Sequence, residues 1–286
     1  MLNSCKVGRE QVASLAEANA LIAALAQRLA PQPALSPAGP VRVGVDVGTA
    51  NVVSVALDAD GTPLAGEITP ARVVREGMIV DYVGAVDIVR RQIDSLRARL
   101  GCELRRGASA IPPGTEAGNA KVTRHVLEAA DLEVSVIVDE PTAAARVLGI
   151  ADGAVVDVGG GTTGISVLKD GRVVYTADEP TGGTHLDLVI AGRFGLTTDE
   201  AERLKRDPAK QRDLLPVVRP VLEKMATIAR RHLAGYAVPA VYLVGGTCAF
   251  PGFQRVMEEE LRLPVYLPVH PLLVTPLGIA MSADEG

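Results

Sequence analysis

Two stretches of this 286-residue chain share one grammar and lie 111 positions apart. Val41-Arg-Val-Gly-Val-Asp46 reads as a strand, Val47-Gly48-Thr49 follows, and residues 52–57 read as a second strand closed by Asp60-Gly61. Ala154-Val-Val-Asp157, Gly159-Gly160-Gly161-Thr162, residues 164–168 and Asp170-Gly171 repeat that order. A recurrence at this distance predicts two lobes built on one plan. The segments between alternate in type: helices over 85–100, 123–130, 141–148, 186–194, 198–206, 217–234 and 252–261, and strands over 134–138 and 241–244. The fold class is therefore α/β.

Each repeat places glycines after an aspartate at a strand end. Glycine has no Cβ to keep an anion from the backbone N–H groups, and threonine adds a hydroxyl. The aspartate would repel phosphate directly, but it can hold a hydrated Mg²⁺ that touches phosphate. Two such hairpins predict a polyphosphate gripped from two sides. Gly159-x-Gly161-x-x-Gly164 also fits a dinucleotide fingerprint, with Asp178 at a suitable distance for a ribose. That fingerprint needs a helix after the glycines, whereas Ile165-Ser-Val-Leu168 alternates into a hairpin. No GxxxxGK[ST] loop occurs.

Further candidates follow the same strand-end rule. Val244-Gly-Gly-Thr247 ends a strand, where glycines let backbone lie against a ribose or base. Asp139 and Glu140 precede a helix: they complement its dipole, or one carboxylate positions water or metal. Ala143-Ala-Ala145 and Pro276-Leu-Gly-Ile-Ala280 are small enough for close helix approach, as at a hinge between lobes.

The remaining composition excludes several classes. A net charge of −5 gives no global attraction to nucleic acid, and eight aromatic residues without Trp make a poor stacking surface. No apolar run spans a membrane. Cys5, Cys102 and Cys248 are too dispersed for a disulfide framework, which predicts a reducing, cytoplasmic setting. Residues 1–40 read as an appendix. Leu15, Ala18, Ile22, Leu25 and Leu29 stripe one face of a helix over 11–30, and Pro31, Pro33, Pro37 and Pro40 form a linker. The helix docks on its own domain, or the prolines hold it away from the body as a recognition helix for another protein.

In order, Asp46-Val-Gly-Thr-Ala-Asn51, Glu140-Pro-Thr-Ala-Ala-Ala145, Asp157-Val-Gly-Gly-Gly-Thr162, Val244-Gly-Gly-Thr247 and Thr275-Pro-Leu-Gly-Ile-Ala280 resemble the five motifs of the actin-like ATPase superfamily. Arg75-Glu-Gly-Met-Ile-Val-Asp81 resembles its rod-shape-determining actin homologues. Gly84-Ala-Val-Asp-Ile-Val89 with Arg90-Arg91, Ile111-Pro-Pro-Gly-Thr115 and Thr181-Gly-Gly-Thr-His185 resemble more closely the chaperone-like family of ethanolamine-utilisation operons. The resemblance implies an actin-like fold with lobe I over 41–148 plus 272–286 and lobe II over 149–271, around a nucleotide cleft. It implies ATP with Mg²⁺ as cofactors. Asp46 and Asp157 would hold the cation through water, and Glu140 would orient the attacking water. Gly48, Thr49, Gly159, Gly160, Gly161 and Thr162 would contact phosphates. Gly182 and Gly183 would line the cleft, and Glu202, Lys205, Gly245, Gly246 and Thr247 would flank the nucleoside.

The resemblance also implies partners among ethanolamine-pathway enzymes or the shell proteins of a bacterial microcompartment. Two departures temper it. No lysine near Asp46 replaces the phosphate-facing lysine of heat-shock chaperones, so hydrolysis is expected to be slow or absent, the latter leaving a non-enzymatic adaptor. The short span from Asp187 to Val241 reduces the outer subdomain of lobe II, which argues against a filament.

Overall fold

The computed structural model describes residues 15–75, 77–113 and 117–283. Cys5, the first residues of the expected N-terminal helix, Glu76, and Gly114 and Thr115 of the 111–115 motif lie outside the described residues. The chain divides into two compact units, Met1–Ala151 with Pro268–Gly286, and Asp152–Leu267.

The first unit begins with helix α1 over 15–26. It continues through β1 (Arg42–Val47), β2 (Asn51–Leu57), β3 (Pro63–Pro70) and the small hairpin β4 (Val74–Arg75) and β5 (Met78–Ile79). Then come α2 (Tyr82–Leu100), β6 (Arg106–Ile111), α3 (Ala117–Ala129), β7 (Glu133–Asp139) and α4 (Glu140–Leu148). The second unit runs β8 (Gly153–Val158), β9 (Thr163–Lys169), β10 (Arg172–Glu179), α5 (Gly183–Phe194), α6 (Thr198–Arg206), α7 (Pro208–Leu233), β11 (Val241–Val244), α8 (Phe253–Leu261) and β12 (Val265–Tyr266). Helix α9 (Val274–Met281) returns to the first unit.

The two sheets have the same plan. Their strand orders are β3-β2-β1-β6-β7 and β10-β9-β8-β11-β12, with the first three strands of each antiparallel and the last two parallel. The duplication extends to register: Asp46 faces Val53 as Asp157 faces Gly164. Each unit has its own apolar core, Val43, Val45, Ile93, Leu96 and Leu127 in one and Ile165, Leu186, Met225 and Phe253 in the other.

Local chemistry sets the helix ends. Gly101 closes α2 and Gly149 closes α4, each left-handed with its N–H on the carbonyl four residues back. Helix α7 begins well before the expected position, because Asp207 accepts from Ala209 N and Pro208 occupies the first turn. Pro216 and Pro220 lie inside it, held there by the buried stripe Leu214, Val218, Leu222 and Met225. Helix α9 meets both β1 and α4 at contact distance. A Cβ on Gly44 would stand 2.3 Å from Ala280 N, and one on Gly278 would stand 1.9 Å from Ala143 O. The small-residue patches are therefore a crossing inside one unit.

The prolines do not hold α1 away from the body. Ala18, Ile22 and Leu25 are buried, and Asn19 Oδ1 accepts from Val269 N at 2.8 Å. Arg99 donates to the carbonyls of Arg28 at 2.7 Å and Gln32 at 2.9 Å while pairing with Glu67 at 2.6 Å. Beyond α1, Ala30 N donates to Gly66 O at 2.9 Å and Leu35 N to Leu64 O at 2.9 Å. The proline-rich segment thus runs along β3, because the apolar stripe gains more from this core than from water.

Candidate functional site

In the second unit most of the expected residues converge on one loop. The β8–β9 hairpin turns at Gly159 to Thr162, closed by Gly159 N donating to Thr162 O at 3.1 Å. Gly159 O accepts from Gly183 N at 2.9 Å and from Thr247 Oγ1 at 2.8 Å. Gly160 O accepts from both N and Oγ1 of Thr184, each at 2.8 Å. Thus the start of α5 and the turn after β11 clamp the loop by its carbonyls. Among the described residues, the N–H groups of Gly160 and Gly161 have no protein acceptor.

The surrounding glycines are sterically required. At Gly182 a Cβ would stand 2.6 Å from Gly161 C, and at Gly183 2.4 Å from Thr247 Oγ1. Gly245 follows Val244, the parallel partner of Asp157, and its Cβ would stand 2.3 Å from Asp157 Oδ1. Gly246 opens the short helical turn Gly246–Ala249. Gly159 differs, since a Cβ there meets nothing within 4 Å.

Lys205 joins this group from α6. Its Nζ lies 2.8 Å from Asp187 Oδ1 on α5 and donates to Gly183 O at 3.2 Å, with both side chains largely buried. Burial pushes the Asp187 carboxyl up more than the Lys205 ammonium pulls it down. Glu202, on the same helix, pairs with Arg206 at 2.6 Å. Cys248 is fully buried with Sγ donating to Val244 O at 2.9 Å, and burial holds its thiol well above the usual range, which fits a core filler.

In the first unit, Gly48 N donates to Asn51 O at 3.0 Å, the same turn bond as at Gly159. In both hairpins the first glycine's N–H is therefore occupied, and those without an acceptor among the described residues are the N–H groups of Thr49 and Ala50 and of Gly160 and Gly161. Gly48 and Gly159, expected among the phosphate contacts, thus spend their own N–H groups on closing the turns. Strands β1, β6 and β7 run parallel, so Asp46, Thr49 and Glu140 lie at their carboxyl ends, where open α/β sheets bind ligands. Asp139 caps α4, accepting from Thr142 N at 2.9 Å and Thr142 Oγ1 at 2.8 Å, so the neighbouring Glu140 is not the cap.

Sequence reasoning missed the contacts of Thr184 and Asp187, and it weighed Asp178 only as the ribose partner of the dinucleotide fingerprint it set aside. Thr184 stood in a quoted motif for its glycines alone. Asp187 needs the α5–α6 packing to meet Lys205. Asp178 is a strand partner of Gly164, and burial raises its carboxyl more than the hydrogen bond from Thr162 lowers it. The donor set fits an anionic chain with a hard divalent cation: outward N–H groups for phosphate oxygens, and carboxylate and hydroxyl oxygens for the cation.

Comparison with known proteins agrees with this architecture. The family model of the type IV pilus assembly protein PilM matches residues 150–273. The crystal structure of MreB5 of Spiroplasma citri bound to AMPPNP is 15% identical, covers 87% of this chain and 97% of its own, and superposes with a TM-score of 0.70. That likeness establishes the actin-like fold. The ethanolamine utilization protein EutJ of Salmonella typhimurium is 45% identical over 85% of this chain and 86% of its own length. The crystal structure of EutJ from Carboxydothermus hydrogenoformans is 46% identical, covers 93% of this chain and 98% of its own, and has a TM-score of 0.89. Identity at that level across both lobes, with the clamped glycine loop inside the shared span, makes this chain a member of the EutJ family, built on the actin-like ATPase fold.

Proposed function

We propose that the chain is a Mg²⁺-dependent ATP-binding protein of ethanolamine utilisation, acting as a chaperone-like or reactivating factor for the pathway's enzymes at a bacterial microcompartment in the cytoplasm. One observation carries the nucleotide reading. The same turn, with the same closing hydrogen bond, occurs after Asp46 and after Asp157, each leaving N–H groups at its tip that have no acceptor among the described residues. The AMPPNP-bound state of the Spiroplasma citri protein supports it. The names of the EutJ relatives support the pathway.

In this reading Thr49, Ala50, Gly160 and Gly161 bind phosphate oxygens through their N–H groups. Asp46 and Asp157 hold the hydrated cation, which when bound neutralises phosphate charge. Gly182, Gly183, Gly245, Gly246 and Thr247 shape the site, while Glu140 orients water for phosphoanhydride hydrolysis. Lys205 and Glu202 flank the nucleoside.

A second reading, a non-enzymatic adaptor that binds nucleotide weakly or not at all, is favoured by the hold on Lys205. Asp187 and Gly183 O occupy its ammonium, so it is not a ready substitute for a phosphate-facing lysine. Calorimetry with ATP and Mg²⁺, followed by a phosphate-release assay, separates the readings. Binding with slow release supports the ATPase. Binding without release supports the adaptor, and no binding removes the nucleotide role. Co-purification with ethanolamine-pathway enzymes or shell proteins from cells making the compartment tests the partners.

A further inference from the structure

The two hairpins share a turn but differ in what faces it from the sheet. In the second unit Asp157, Gly164 and Asp178 stand in one row across β8, β9 and β10. Directly opposed residues of antiparallel strands project to one face. A Cβ on Gly164 would have Asp178 Oδ1 at 3.7 Å and Asp157 Cβ at 3.9 Å, so the glycine leaves a gap flanked by the two aspartates. Thr162, two residues before Gly164, is hydrogen-bonded to Asp178. The matching row of the first unit is Asp46, Val53 and Ile68, with Asn51 in the place of Thr162. Duplication preserved the hairpin, while the polar row occurs in the second copy alone.

Chemistry assigns directions to these groups. An ionised carboxylate only accepts hydrogen bonds, and a hydroxyl has one donor and two lone pairs. With its O–H donated to the Asp178 carboxylate, the Thr162 hydroxyl has no donor left for a phosphate oxygen, and its lone pairs suit a cation or the water around it. We infer that Asp178 is a positioning residue for the divalent cation: it fixes the Thr162 hydroxyl as an oxygen donor to the cation's shell, a contact that the first unit's hairpin lacks. This rests on the nucleotide reading above, and it reassigns Thr162 from phosphate contact to cation contact.

The test is calorimetry with AMPPNP over a Mg²⁺ series and in EDTA. Asp178→Ala and Thr162→Val should each raise the Mg²⁺ concentration for half-maximal binding by about tenfold, the scale of one lost hydrogen bond in such a site. Affinity in EDTA should change by less than about twofold, since one hydrogen bond to metal water contributes nothing there. Asp178→Asn, which keeps an acceptor, should recover most of the loss, and the Asp178→Ala, Thr162→Val double variant should be no worse than either single one. An unchanged Mg²⁺ dependence in Asp178→Ala, an equal loss in EDTA, or additive losses in the double variant would overturn the assignment with the nucleotide reading intact. A native chain that binds no AMPPNP would overturn both.

Discussion

At Gly245 the backbone has φ near 89° and no room for a side chain, since Asp157 Oδ1 and Val158 O lie 2.3 and 2.5 Å from the Cβ position. Gly245→Ala should lower unfolding stability by about 2 kcal/mol and weaken Mg-ATP binding with it, because Asp157 must move. Gly159→Ala is the contrast: with open space at its Cβ, chemical denaturation should place it within about 0.5 kcal/mol of the native chain. Asp157→Ala should fold normally yet lose Mg-ATP affinity in calorimetry, and unchanged affinity would remove Asp157 from the site. Residues such as Gly160, Gly161 and Asp157 were legible because strand, aspartate and glycine are contiguous in sequence. Asp178 was not, since its place beside Thr162 depends on the β9–β10 register. Lys205 was found through resemblance, but its partner Asp187 belongs to another helix.

Between elements, the buried Lys205–Asp187 pair ties α6 to α5. Removing one partner strands a charge, so Lys205→Met should destabilise the chain by about 3 kcal/mol, and Asp187→Leu placed on top should restore much of that. Thermal melts of the single and double variants would show it. Helix α1 makes a parallel case. With Ile22 and Leu25 fully buried in the first unit, Leu25→Asp should lower the melting temperature of the whole chain. A fluorescent protein carrying residues 1–40 should stay diffuse in cells making the compartments, because the stripe that would seek a partner is matched to this core. The helix itself was readable from its spacing of three and four; which surface it covers was not, since apolar faces carry no address. Helix α4 was legible from Pro141 and Gly149, whereas Pro216 and Pro220 hid the first half of α7. The breaking tendency of proline is local, and the stripe that overrides it runs the length of the helix.

For the molecule as a whole, the span between β10 and β11 contains three helices, α5, α6 and α7, and no strand. A chain with so little in that region should not polymerise, and light scattering with ATP and Mg²⁺ should stay flat where filament formation would raise it. The segment after α1 adds a second safeguard. Strand β3 is the last strand of its sheet, and on its outer side Leu29 bridges Gly66 while Arg28 O and Ala30 N take up the Gly66 backbone groups. An uncovered edge is a template on which another chain can add a strand. The N-terminal segment is therefore a cover for the sheet, and a chain stripped of it would present a row of backbone donors and acceptors to its neighbours and tend to aggregate through that edge.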